Sequence, residues 1–295
     1  MNAATRRDYW MLTGISAAIS VGALIFYYHQ GAILLYGDAV AHINIARRVF
    51  DSRTPGLFQL GTVWLPLPHV LDIPFIVNDR MWQTGLGASI PSMIAYVAGV
   101  LGVFRLVRGL ASLMAAWIAA LIYALNPNLI YMQATAMTES LYLAFSVWSA
   151  VYFTEFVRDA RDTPDAAGKS LKKCGLMVSA AMLVRYDGWF LAAVMAAVAV
   201  IIMWRFRSFS GPLRRGLIYF ALLTGSTGAL FLLYNQIGYG NALEFANGPY
   251  SARAIQERSK TASMPTYPGE NSPGGAAVTS KRSGASIFFS FNRIS

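Results

Sequence analysis

The chain has 295 residues, of which 56% are hydrophobic and only 13% charged, with a formal net charge of +10 and a mean hydropathy of +0.45. Apolar content this far above the needs of a soluble domain excludes a purely water-soluble globule and calls for lipid contact. The basic balance is therefore first a question of which membrane side holds Lys and Arg, and the single cysteine, Cys174, excludes an intramolecular disulfide.

Residues 9–28 form a charge-free run behind Arg6 and Arg7, long enough at about 20 residues to cross a hydrocarbon core of roughly 30 Å. No small-x-small cleavage site precedes Gln30, so the run reads as an uncleaved anchor. Further spans are expected at residues 82–104, 110–125, 138–156, 174–184, 188–204 and 217–237, making seven in an all-α membrane protein. The fifth and sixth are separated only by Arg185-Tyr186-Asp187, which predicts a tight helical hairpin. With these spans, and leaving the tail after residue 245 aside, thirteen of the Lys and Arg residues fall on the side of the N-terminus and five, Arg47, Arg48, Arg53, Arg80 and Arg185, on the other. The positive-inside rule then puts the N-terminus in the cytoplasm and the long segment 30–81 outside. The basic balance reports orientation, and no nucleic-acid partner is expected.

Inside the first outer loop, Ala39, Ile43, Ala46 and Phe50 recur at steps of four, three and four, predicting an amphipathic helix lying at the interface. Asp38 and His42 are spaced i and i+4 at its start. Asp38 suits an N-cap, and the same pair suits a general base or a metal ligand. Trp64-Leu65-Pro66-Leu67-Pro68-His69 follows, where each proline pushes its predecessor into an extended conformation. This predicts an irregular aromatic segment that either leads into the next helix or lines a substrate site. Met137-Thr138-Glu139 opens the fourth span and places Glu139 in a first helical turn, favoured there by the helix dipole, yet a carboxylate near membrane depth is also a functional candidate. Arg185 and Asp187 either pair with one another, or Arg185 binds a phosphate through its planar fork. Phosphate-binding glycine loops, His-Glu-x-x-His and Cys-x-x-Cys are absent from the sequence.

The uncleaved first span, the long outer loop with its early Gly37-Asp38, Met137-Thr138-Glu139 opening a span, and Arg185-Tyr186-Asp187-Gly188-Trp189 occur in an order that resembles the GT-C superfamily of integral-membrane glycosyltransferases. The similarity is to bacterial relatives of the protein mannosyltransferases and aminoarabinose transferases and covers about residues 9–244. It implies inverting transfer of a sugar from a polyprenyl-phosphate donor to a lipid, glycan or protein acceptor at the outer face of a bacterial inner membrane. Under the resemblance Asp38 is the catalytic acidic residue of the first outer loop, and His42, Trp64, His69, Glu139, Arg185 and Asp187 are substrate-binding. Some members use a divalent metal, for which Asp38, His42 and Glu139 would be the donors; the cofactor is otherwise unassigned. The alternatives are a transporter or flippase of a lipid-linked glycan, or an inactive truncated paralogue. Residues 1–245 are expected to hold the transmembrane region. Residues 246–295, rich in Gly, Pro and Ser, are expected to be an outer, mostly disordered tail, as in the N-terminal part of a longer protein cut by truncation or frameshift.

Overall fold

A computed structural model describes residues 3–205, 210–249 and 251–261. The chain divides into two compact units, residues 1–231 and 232–295. Among the described residues there is no strand, and the helices run in the order α1 (Ala3–His29), α2 (Gly37–Arg48), α3 (Pro66–Asp72), α4 (Asp79–Thr84), α5 (Leu86–Leu110), α6 (Leu113–Ala124), α7 (Pro127–Met132), α8 (Glu139–Asp159), α9 (Pro164–Met182), α10 (Asp187–Arg205), α11 (Gly211–Tyr239), α12 (Glu244–Asn247) and α13 (Ala252–Thr261). The protein is an all-α membrane protein.

Five helical stretches among the described residues are long and apolar enough to span: Arg6–His29, Leu86–Leu110, Glu139–Asp159, Asp187–Arg205 and Gly211–Tyr239. Many of their large apolar side chains remain exposed, among them Ile94, Phe190 and Leu222, as does Ile122 on the shorter α6. This is the pattern of helices whose backbones are satisfied internally and whose flanks face lipid. Two of the seven expected spans differ from the long type. α6 has 12 residues, about 18 Å of helix, and stops where Asn126 caps the next helix by accepting from the amides of Asn128 and Leu129, with Pro127 at the first position of α7. α9 starts at Pro164, ten residues before the expected 174–184. The polar half is held by its aromatic neighbours: the Lys172 ammonium lies 4.2 Å from the Tyr219 ring centre and that of Lys173 5.4 Å from Tyr152.

α5 and α8 run parallel through the middle of the first unit. Arg105 and Glu155 close one end of the pair with a 2.6 Å ion pair, and Ala95, Leu141, Ala144 and Val184 pack together near the other. Trp148 donates from its indole nitrogen to the Ala98 carbonyl between them. α1 and α6 bury Leu12, Tyr96, Val100, Phe104, Ala116 and Ala120 against α5. On the other flank α8, α9 and α10 share Phe156, Leu171, Cys174, Val178 and Met195. The Lys and Arg clusters at the start of α1, the end of α5 and the start of α9 thus lie at the end opposite Glu139.

The helix predicted from the outer-loop stripe is α2, and Ala39, Ile43 and Ala46 are buried as expected, against Ile76, Ala88, Ala136 and Met137. Phe50 lies beyond the helix end, its ring beneath the Arg47 guanidinium at 5.0 Å. Arg47 also donates to Asp51, Asp79 and the carbonyls of Ile76 and Val77, which fixes the loop before α4. The proline segment corrects its expectation in one respect. Leu65 is extended before Pro66, but Leu67, also before a proline, is helical. Pro66 is the first residue of α3 and Pro68 the third, so both missing N–H groups fall among first-turn amides that have no helical acceptor in any case. The Leu67 amide donates instead to the Leu183 carbonyl.

The predicted hairpin is present, with α9 ending at Met182 and α10 opening at Asp187. A Cβ on Gly188 would stand 2.6 Å from Ala181 C and Met182 N, so only glycine lets α10 return this close to α9. The expected tail, 246–295, carries α13 in its described part and lies for the rest outside the described residues. Gly188→Ala should lower stability in detergent by about 1–3 kcal/mol, while Gly14→Ala, with nothing within 4 Å of the added carbon, should leave it unchanged; a thermal unfolding scan of the two variants checks this.

Candidate functional site

The end of the bundle where α8 and α10 begin gathers most of the side chains singled out from the sequence. Its floor is a buried non-helical stretch, residues 133–138, between α7 and α8. Backbone polar groups there need partners, and two serines of α5 supply them: Ser89 donates to the Ala134 carbonyl at 2.8 Å and Ser92 to that of Met137 at 3.2 Å. Gln133 is fully buried and bonded to Ser20 of α1. These contacts fix where α8 starts and hence where Glu139 points.

Glu139 stands in the first turn of α8 as expected, with no side-chain cap on the helix. Its Oε1 accepts from Arg185 Nη1 at 3.4 Å, and its Oε2 is buried without a partner. Arg185 Nε donates to Asp187 Oδ2 at 3.0 Å. The expected Arg185–Asp187 pair therefore exists but is one arm of a three-residue cluster, and Nη2 makes no bond among the described residues. Tyr186, between the two, hooks the hairpin turn to the loop before α3 by donating to the carbonyls of Thr62 and Val63. That loop carries Trp64. A cavity of about 260 Å³ results, lined by Trp64, Thr138, Arg185, Tyr186 and Asp187 among others.

Behind Trp64 the structure brings His42 of α2 and His69 of α3 together, with His42 Nδ1 and His69 Nε2 2.8 Å apart. Both rings are buried, and the Trp64 ring meets His42 edge to face at 4.6 Å between centres. Burial, and then the nearby Arg185 cation, push the His42 imidazole down to about 4 from its ordinary 6.5. His69 is pushed down to about 3 by burial, by His42 and by Arg48. Asp72, one helical turn beyond His69, is also buried, and burial alone holds its carboxyl well above the usual range.

Asp38 is placed differently. It is the second residue of α2, the N-cap position being Tyr36, and it lies exposed with no hydrogen bond or ion pair among the described residues. The expected neighbour relation of Asp38 and His42 does not become a bond, because the imidazole is turned toward His69. Among the described residues no three His, Cys, Asp or Glu side chains gather in a set able to hold a metal ion, so Asp38, His42 and Glu139 do not form a donor set.

The site therefore consists of a guanidinium shared by two carboxylates, a neutral imidazole pair and a tryptophan, at one end of the spans. Below it, on the flank of α5 and α8, runs an apolar groove of about 570 Å³ lined by Leu71, Ile94, Ala98, Leu141, Phe145 and Trp148 among others. Sequence reading missed Tyr186 as a tether, Asp72 as a buried acid, and Ser89, Ser92 and Gln133 as supports. The one available signal was an aspartate three residues after His69 in an apolar run.

A family model described as dolichyl-phosphate-mannose-protein mannosyltransferase matches residues 80–231, a little over half of the chain. The chain belongs to that family and is a membrane glycosyltransferase of the GT-C type. No curated protein and no solved structure matches it. The matched stretch contains Glu139, Arg185 and Asp187, whereas Asp38, His42, Trp64 and His69 precede it.

The depressed imidazoles have a definite pH signature. Below about 6.5 the unfolded chain binds more protons at His42 and His69 than the folded one, so their contribution to stability is full above pH 6.5 and is lost as pH falls through about 4 for His42 and about 3 for His69. Asp72 acts with the opposite sign, losing stability as pH rises above 3.8 toward its elevated value. At pH 5 the ring nitrogens of His42 and His69 should still report neutral imidazoles by ¹⁵N NMR of the protein in micelles; an imidazolium at either position would contradict the burial that causes the shift.

Proposed function

We propose that the protein moves a sugar from a polyprenyl-phosphate carrier to a hydroxyl-bearing lipid, glycan or protein acceptor, with inversion at the anomeric carbon. The reading has the site at the outer face of a bacterial inner membrane and the N-terminus in the cytoplasm. The observation that carries it is the Arg185 guanidinium with an uncommitted Nη2 on the wall of a cavity, above an apolar groove on the flank of two spans. A lipid phosphate needs both parts, a cation for the head and an apolar path for the chain. Leu67, Leu71, Leu141 and Val184 pack into one cluster that joins the two. The family description names a dolichyl-phosphate-linked sugar and a protein acceptor, which supports a polyprenyl-phosphate donor here. The orientation rests on the Lys and Arg clusters at the opposite end of the helices.

In this mechanism the acceptor oxygen attacks the anomeric carbon as the bond from that carbon to the phosphate oxygen breaks. The exposed Asp38 carboxylate, without a partner among the described residues, takes the hydroxyl proton. Charge appearing on the departing phosphate meets the Arg185 guanidinium, already oriented by Glu139 and Asp187, so little reorganisation accompanies the step. The leaving group is stable as the free phosphate, and no covalent intermediate is required. Charged side chains gathered at span ends, with the span interiors apolar, favour this reading over passage of a glycan across the membrane.

Asp38→Asn should abolish transfer from a polyprenyl-phosphate sugar in membranes while expression and insertion stay intact. Arg185→Lys keeps the charge but loses the fork and should cut kcat/KM by roughly 10²-fold. Undiminished transfer in the first variant would remove Asp38 from the role of base, and in the second would remove Arg185 from the leaving group. In the groove, Ile94→Trp should raise KM for a long-chain donor and leave that for a donor with a chain of one or two isoprene units unchanged, as a comparison of the two substrates would show.

A further inference from the structure

The buried imidazole pair has no part in the mechanism above, and its four ring nitrogens are unequally placed. Two face each other across 2.8 Å. His69 Nδ1 is enclosed with no partner. His42 Nε2 makes no bond among the described residues but is not sealed in the same way, and its ring lies against Trp64, which lines the cavity beside Arg185.

Because both rings are neutral, one proton lies between them, and the two ways of placing it have opposite consequences. If His42 donated, His69 would have to carry its own proton on the enclosed Nδ1, a buried N–H with no acceptor, and each ring would be in the less stable Nδ1–H tautomer of a free imidazole side chain. If His69 donates from Nε2, both rings take the favoured Nε2–H tautomer and the enclosed Nδ1 is only a bare lone pair. Orphaned buried N–H groups are the rarer defect. The second arrangement is therefore the favoured one, and it leaves His42 with an N–H on Nε2. The groups around the pair reinforce it. Arg48 and Arg185 both raise the local positive potential, which disfavours a second proton on either ring.

We propose that His42 is a neutral hydrogen-bond donor, not a base, and that with Arg185 it binds an oxygen of the donor's phosphate, while His69 is a positioning residue that fixes the His42 tautomer. The proposal deepens the reading given above and rests on it. A neutral imidazole donor has a particular advantage beside Arg185: it adds a hydrogen bond to the departing phosphate without a second like charge in a poorly solvated place.

The test uses the full chain, ¹⁵N-labelled at histidine, in lipid nanodiscs at pH 7. Both rings should show a protonated Nε2 and a bare Nδ1. Titration with a polyprenyl phosphate should shift His42 Nε2 and leave His69 Nδ1 in place, and inorganic phosphate at equal concentration should give a smaller shift if the lipid is the true source of the anion. His42→Ala should weaken polyprenyl-phosphate binding by about tenfold or more, and His42→Gln, which keeps an N–H, should restore it to within about threefold. In His69→Ala the His42 ring should become a mixture of tautomers and binding should weaken with no change in the fold. A bare Nε2 on His42 in the wild type, or a His42→Gln variant as weak as His42→Ala, would overturn the proposal. If the protein transfers sugar from this donor while the lipid leaves His42 unshifted, the role of His42 fails and the proposed function stands. Absence of any transfer from the donor, with the tautomer as stated, overturns the donor assignment instead.

Discussion

Everything at the α8 and α10 end of the bundle depends on one cation, Arg185, standing where three chain segments meet. A guanidinium near membrane depth cannot be left alone, and this one is held by Glu139 at the start of α8 and Asp187 at the start of α10. Each carboxylate gains from its place at a helix N-terminus, where backbone amides already favour negative charge. The turn that presents Arg185 is in turn fixed by the Tyr186 hook to the loop carrying Trp64 and by the Leu67 amide on the Leu183 carbonyl. Position of the cation, closure of the hairpin and placement of the outer-loop segment are therefore one constraint, with Gly188 as its steric condition.

The long spans were legible because lipid imposes a simple rule on sequence: runs of about 20 apolar residues, ended by charges. The place of Glu139 in a first turn and the brevity of the Arg185–Asp187 hairpin followed from spacing alone. The early start of α9 did not. Lys169, Lys172 and Lys173 mark a polar stretch in the sequence, and the aromatic faces that take up two of them in the helix, Tyr152 and Tyr219, are supplied by other helices. Likewise the helical Leu67 breaks a local rule about prolines because its amide finds an acceptor 116 positions away, on Leu183.

The site was half legible for the same reason. Trp64, His69, Arg185 and Glu139 could each be picked out as unusual, but nothing in spacing brings His42 to His69 across 27 positions. The i, i+4 rule favoured Asp38 as the partner of His42, and the tertiary pairing of α2 with α3 overrode it. Supports such as Ser89, Ser92 and Gln133 left no trace, since a serine that satisfies a distant carbonyl looks in sequence like any small residue in an apolar helix.

The groove beside α5 and α8 opens on the flank of the spans, with Ile94 on its rim exposed to the surroundings. A molecule using that route arrives sideways, within the plane of the bilayer. Encounter with Arg185 is then governed by two-dimensional diffusion and by the number of carrier molecules per unit area of membrane. Adding neutral lipid would slow such an enzyme even with the bulk concentrations of protein and carrier held constant.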